Sequence, residues 1–276
     1  MEIQILYVLV LLGTGALVGF ACGMLGVGGG FLMVPVQIWA LTSSGVDPTI
    51  AVRVAFGTSL AVILPTAIAG CRGHSCRGSV LWRPGLAIGL SGLGGAFLGG
   101  TIAAHVPGEL LAKIFGLVVL AGALRLMLFK GSQTSRGPEM GLPSCVLLGW
   151  GAGIIAGLSG IGGGVVLVPA MVVGLRFSML QAAGTSSLAI ALNAVGGVLS
   201  YVYNGLGVPG LPTYSVGYVD LLQLALLAGT SLPMAGLGVG LSHRIPERQL
   251  RLAFFLLMVY VGVKMLGLLE CLKLPL

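Results

Sequence analysis

Charge is what this 276-residue sequence has least of. Asp, Glu, Lys and Arg make up 8% of it, whereas a soluble domain carries roughly a quarter. Such a chain cannot cover its own surface in water. Acidic side chains are rarer still. Glu2, Asp47, Glu109, Glu139, Asp220, Glu247 and Glu270 are the full set, and His74, His105 and His243 are the only imidazoles. All of them map to loops, termini or helix ends, so no buried carboxylate or histidine is expected as a proton relay. A disulfide framework is missing as well. Cys22, Cys71, Cys76, Cys145 and Cys271 are scattered, and the cluster at 71–76 matches no strong zinc spacing. These cysteines read as reduced thiols, with no metal site.

Enzymatic motifs are also lacking. There is no phosphate-binding loop and no HExxH, and Gly157-Leu158-Ser159-Gly160 lacks the spacing of a nucleophile elbow. The sequence therefore assigns no catalytic residue and implies no cofactor. The net charge of +7 would suggest nucleic acid in a soluble protein. In a membrane protein it follows instead from Lys and Arg collecting in cytoplasmic loops, so the lipid bilayer is the expected partner and nucleic acid is not.

What is abundant is apolar. Hydrophobic residues are 57% of the chain and the mean hydropathy is +1.08. Runs of about 20 apolar residues, enough to span a bilayer, recur from end to end. The first 20 residues form one. It has neither a basic leading region nor a small-residue cleavage site, and reads as a retained membrane segment.

Inside these runs one phrase occurs twice. Gly26-Val27-Gly28-Gly29-Gly30, running on to Pro35, returns as Gly160-Ile161-Gly162-Gly163-Gly164, running on to Pro169. Neither copy is a dinucleotide fingerprint, because position 31 is Phe and position 165 is Val. Two further matches follow in order. Gly57-Thr58-Ser59 pairs with Gly184-Thr185-Ser186, and the turn at 104–109 pairs with that at 243–248. The chain therefore reads as a first repeat (1–130), a cytoplasmic linker (131–143) and a second repeat (144–276).

Charge placement gives each repeat its direction. The loop with Arg72, Arg77 and Arg83 pairs with 204–217, which holds no Lys or Arg. The turn at 105–108 has none, while its partner holds Arg244, Arg248 and Arg251; the loop at 43–49 has none, while its partner holds Arg176. Equivalent loops thus fall on opposite sides, which predicts inverted repeats with both termini outside. The expected fold class is an all-α polytopic membrane protein of seven to ten spans. Each half would be a Gly-broken helical hairpin plus about three transmembrane helices. The stretches after each glycine phrase, 31–41 and 165–174, predict helices of about 16 Å, half the hydrocarbon thickness.

Irregular backbone at membrane depth survives only where protein or a water-filled cavity satisfies it. A helix restarting after three glycines presents unpaired N–H groups and a positive dipole end, which favours an anion. Gly28, Gly29 and Gly30, with Gly162, Gly163 and Gly164, are therefore the candidate backbone of a substrate site. The other glycines of the chain are expected to serve tight helix packing. Ser59 and Thr66 lie two helical turns apart on one face, as do their counterparts Ser186 and Asn193, with Thr58 and Thr185 beside them. These side chains can donate to oxyanion oxygens or bond carbonyls of their own helices. Arg53 and Lys264, toward the outer side, can steer an anion or snorkel to the interface.

The paired phrases, each followed by Gly-Thr-Ser, together with Leu81-Trp82-Arg83-Pro84-Gly85, resemble the TauE/SafE family of membrane permeases, the sulfite-exporter group. The resemblance implies a transporter in the cytoplasmic membrane for a small sulfur-containing anion such as sulfite, thiosulfate or an organosulfonate. Export is the expected direction, and a homodimer is compatible with it. By position it carries over the two glycine phrases with Pro35 and Pro169, and the two Gly-Thr-Ser runs. Thr66 stands where the second half has Asn193, so the half-sites are not equivalent donors. The alternatives are an intramembrane enzyme and a non-transporting membrane subunit.

Overall fold

The computed structural model describes residues 2–25, 29–128, 141–241 and 247–267. Gly26, Gly28, the turn at 242–246 and the linker as far as 140 lie outside the described residues. The first half holds α1 (Glu2–Leu25), α2 (Gly30–Ser43), α3 (Pro48–Ser75), α4 (Trp82–His105) and α5 (Gly108–Leu128). The second holds α6 (Leu142–Ser159), α7 (Gly164–Gly174), α8 (Met179–Gly205), α9 (Leu221–Leu241) and α10 (Glu247–Met265). Between α8 and α9, β1 (Ser215–Val216) and β2 (Val219–Asp220) pair antiparallel.

Local chemistry sets several helix boundaries. Pro48 opens α3, and the Asp47 carboxylate accepts from the amides of Thr49 (2.8 Å) and Ile50 (3.2 Å). A capping box of Ser178 and Gln181 opens α8. At α2 and α7 no side chain caps the first turn, and each starts from a left-handed glycine instead. With 14 and 11 residues these two helices span about 21 and 16 Å, well short of the ~30 Å hydrocarbon core. The last turn of α2 outruns its apolar stretch because Thr42 bonds back to the Ile38 carbonyl and Ser44 to that of Ala40.

Stretches of α3, α4, α6, α8 and α9 are long and apolar enough to cross a membrane. Leucines stand exposed on the outside of the bundle, Leu17 at 64%, Leu90 at 61% and Leu147 at 75%. In water that would be a liability; against lipid tails it is the expected face. The molecule is an all-α polytopic membrane protein.

Packing repeats between the halves. α4 lies on α6 and α8, while α9 lies on α1 and α3; α3 meets α8, and α5 meets α10. Exchanging α1 with α6, α2 with α7, and so on leaves those pairings unchanged. The α4–α6 contact and its counterpart α1–α9 are backbone against backbone. On α6, a Cβ at Gly153 would run into the Gly92 carbonyl of α4, and on α1 one at Gly19 would run into the Ser231 backbone of α9. Small residues there let helices approach closely where apolar side chains gain nothing over lipid. Two apolar clusters fill the interior. One, with Phe56, Leu60, Phe115, Tyr201 and Tyr218, lies toward the start of α3; the other, with Met33, Ile63, Leu167 and Ile190, lies toward its end.

Candidate functional site

The two glycine phrases come together at the junction of these clusters. Gly29 (φ 53°), Gly160 (φ 66°), Gly162 (φ 82°) and Gly163 (φ 83°) all hold the left-handed conformation that side chains resist. Gly160 ends α6 with its amide on the Ala156 carbonyl (2.9 Å), and Gly163 starts α7. The tips touch: a Cβ at Gly30 would lie 2.9 Å from both the Gly160 carbonyl oxygen and the Ile161 Cα. The broken hairpins thus bring two short-helix N-termini to one place.

Neighbouring helices hold the second tip. Ser59 on α3 donates its hydroxyl to the Gly160 carbonyl (2.6 Å), and Tyr201 on α8 donates to that of Gly157 (2.8 Å). The threonines work crosswise. Thr58 accepts from the Asp220 amide (2.9 Å) just before α9, and Thr185 accepts from the Leu81 amide (3.1 Å) just before α4. Thr66 directs its proton to the Val62 and Ile63 carbonyls, and Ser186 to that of Ala183 (3.0 Å). Gly28 lies outside the described residues.

Asn193 is different. Its side chain is fully buried, yet neither Oδ1 nor Nδ2 has a hydrogen-bond partner. The amide fills the space left by two missing side chains: that of Gly92 on α4, and that of Gly163, where a Cβ would lie 3.3 Å from Nδ2. It therefore sits at the start of α7. The Gly163 carbonyl takes the amides of Val166 (3.1 Å) and Leu167 (2.9 Å), and helix geometry leaves Gly164 and Val165 without a carbonyl of their own. An unpaired buried amide costs roughly 1–3 kcal/mol. Two orphan N–H groups, a helix dipole and a carboxamide donor around one point suit an anion that would supply the missing acceptors.

Three polar groups escaped the sequence reading. Gln37 on α2 is fully buried with both side-chain atoms unpartnered; its only signal was to be the one amide in an apolar half-helix. Asp220 is at a helix end as expected, but it is buried there at 4% exposure, which corrects the expectation of no buried carboxylate. Its carboxylate accepts from the amides of Leu222 (2.9 Å) and Gln223 (3.2 Å). Burial pushes its pKa up, while those two bonds pull it down. An Asp directly before an apolar run was a readable cap. The third is His74, half-buried with Nδ1 unpartnered, on the wall of a cavity of about 220 Å³.

Arg53 neither snorkels nor hangs free. Its guanidinium donates to the Tyr218 hydroxyl (3.2 Å) and the Val106 carbonyl (3.1 Å), and lies 5.8 Å from the Tyr218 ring centroid. It ties α3 to both the α4–α5 turn and the α8–α9 connection. Lys264 lies 5.9 Å from the Tyr260 ring.

A family model described as "Sulfite exporter TauE/SafE" matches residues 11–265. A "Probable membrane transporter protein" of Haemophilus influenzae is 29% identical over 259 residues, covering 94% of this chain and 98% of that one. One of Methanocaldococcus jannaschii is 27% identical over 255 residues, covering 92% and 93%. One of Xylella fastidiosa is 34% identical over 207 residues, covering 72% and 75%. No solved structure matches the chain.

Proposed function

Because the chain belongs to the TauE/SafE sulfite exporter family, and its similar proteins are named membrane transporters, we propose that it is a secondary transporter of a small sulfur-containing anion. Sulfite, thiosulfate or an organosulfonate is bound between the repeats, at the start of α7 and Asn193, and is carried outward across the cytoplasmic membrane. The observation that carries this reading is Asn193, a buried carboxamide with no partner beside the first turn of α7, which no side chain caps. A negative interior already drives an anion out by about 2.3 kcal/mol per charge per 100 mV.

The repeats are proposed to be inverted. The opposite charge of equivalent loops supports this, as does a packing pattern that survives exchange of the halves. With α1–α2 and α6–α7 as hairpins that enter and leave on one side, three crossing helices in each half would reverse the second half and leave both termini outside. Proteoliposomes assayed with radiolabelled sulfite, thiosulfate and methanesulfonate test the substrate class. At least one should move faster than in empty vesicles. If none does, the sulfur-anion assignment is wrong.

A further inference from the structure

A cavity of about 220 Å³ opens among α1, α3, α8 and α9, at the end of α3 that carries Arg72. Cys22, Thr66, His74, Ser187, Ile190 and Ala235 are on its wall. That is room for a small anion with several waters. Its floor lies close to the site already described. The Ile190 side chain on its wall comes within 3.3 Å, and that of Ile63 within 3.1 Å, of where a Cβ would stand at Gly162. Two isoleucines therefore separate the cavity from the second glycine tip.

The hydrogen-bonding capacity left in the cavity is one-sided. Thr66 gives its proton to the Val62 and Ile63 carbonyls, and Ser187 gives its own to Ala183 (2.8 Å). Both hydroxyls keep only lone pairs for a ligand. Of the Thr66, Ser187 and His74 side chains on the wall, the imidazole is the one that keeps a proton to donate. Charge at this end is positive. Arg72 is exposed on the same helix, and Arg77 on the turn beyond is near enough for its field to act on the imidazole. From α1 the titratable group on the wall is Cys22, while the α8 and α9 residues described there bring none.

We propose that this cavity is a loading site for a small oxyanion on the cytoplasmic side of the transport path, with the His74 imidazole as donor and Ile190 and Ile63 as the plug before the Asn193 site. The inference rests on the transporter reading for its place in a path, but the binding itself is separable from transport. Waters complete the anion's shell, each donating one proton to the anion and the other to a hydroxyl lone pair of Thr66 or Ser187. An imidazolium donates from both nitrogens, so binding strengthens as pH falls and His74 takes up a proton.

Cys22 supplies the reporter. In a background with Cys71, Cys76, Cys145 and Cys271 changed to Ser, Cys22 is labelled with N-ethylmaleimide from either side of membrane vesicles. Sulfate and methanesulfonate, which do not react with thiols, are the probes. Labelling should proceed from the cytoplasmic side and slow at least threefold with either probe, the ratio rising as the pH is lowered from 8 to 5. His74→Ala should lose the protection. His74→Gln, a donor that does not titrate, should keep it without the pH dependence. No protection, equal protection in His74→Ala, labelling only from outside, or no labelling at all would each overturn the proposal. Asn193→Leu should retain protection while losing flux. Protection without flux of any sulfur anion in the wild type would sink the transporter reading and leave the loading site standing.

Discussion

The contact between the two glycine tips predicts a large penalty for one methyl group. In Gly30→Ala the new Cβ would stand 2.9 Å from the Gly160 carbonyl oxygen and 2.9 Å from the Ile161 Cα. Both are backbone atoms, which no rotamer change can clear. Separating the tips by about half an ångström costs roughly 1–3 kcal/mol, as overpacking does elsewhere. The same carbonyl holds the 2.6 Å bond from Ser59, so its displacement adds about 0.5–1.5 kcal/mol. A helix gain of at most about 1 kcal/mol offsets part of this. The net expectation is a loss of about 0.5–4.5 kcal/mol. Gly13 in α1 is the control, because a Cβ there meets nothing within 4 Å, and Gly13→Ala should gain up to about 1 kcal/mol. Thermal and denaturant unfolding of both variants in one detergent measures the difference. Equal stability of Gly30→Ala and Gly13→Ala would refute the tip contact.

Asn193→Leu, of similar volume, removes two unpartnered buried polar atoms. In the absence of substrate it should be neutral or up to about 3 kcal/mol more stable. A loss above about 1 kcal/mol by unfolding would mean that the amide has a structural partner. Asp220 has a raised pKa from burial, so its protonated form is favoured by the fold. Its contribution is complete below the ordinary carboxylate value of about 3.9 and is lost as pH rises through the raised value. Asp220→Asn keeps an oxygen for the Leu222 and Gln223 amides. It should therefore flatten that part of the stability–pH curve, and unchanged curvature would reject burial as the cause. Single cysteines at Ser75 and Thr213 in a cysteine-free background should label from the cytoplasmic and outer sides respectively. Labelling from one side would replace inverted repeats with parallel ones.

The helices were legible because their signals are local. Long apolar runs, Asp47 before Pro48, and glycines where a helix must stop each act within a few residues. The short helices α2 and α7 and their glycine starts follow the doubled phrase, and the contrast between Thr66 and Asn193 was visible as a change of residue type. What the sequence did not show was where the hydroxyl protons go. Ser59, Thr66 and Ser186 all had carbonyls within three or four residues, and whether a side chain takes them depends on its rotamer. That Ser59 also reaches Gly160, a hundred residues away, is a tertiary fact. Burial at helix ends was hidden for a similar reason. Asp220 and His74 lie at boundaries that usually face water, and only packing of the other half against them takes them inside.

The central claim is that an anion passes through the point where Asn193 meets the start of α7. Radiolabelled sulfite flux, measured side by side in proteoliposomes containing wild-type protein and Asn193→Leu, tests it most directly. Losing one hydrogen bond to a charged ligand is worth about 1.5–3 kcal/mol, or roughly 10- to 150-fold in affinity at about 1.4 kcal/mol per decade. The account predicts saturable flux in the wild type and at least a tenfold loss of apparent affinity in the variant, with folding intact. Wild-type affinity in Asn193→Leu would contradict it and move the site elsewhere.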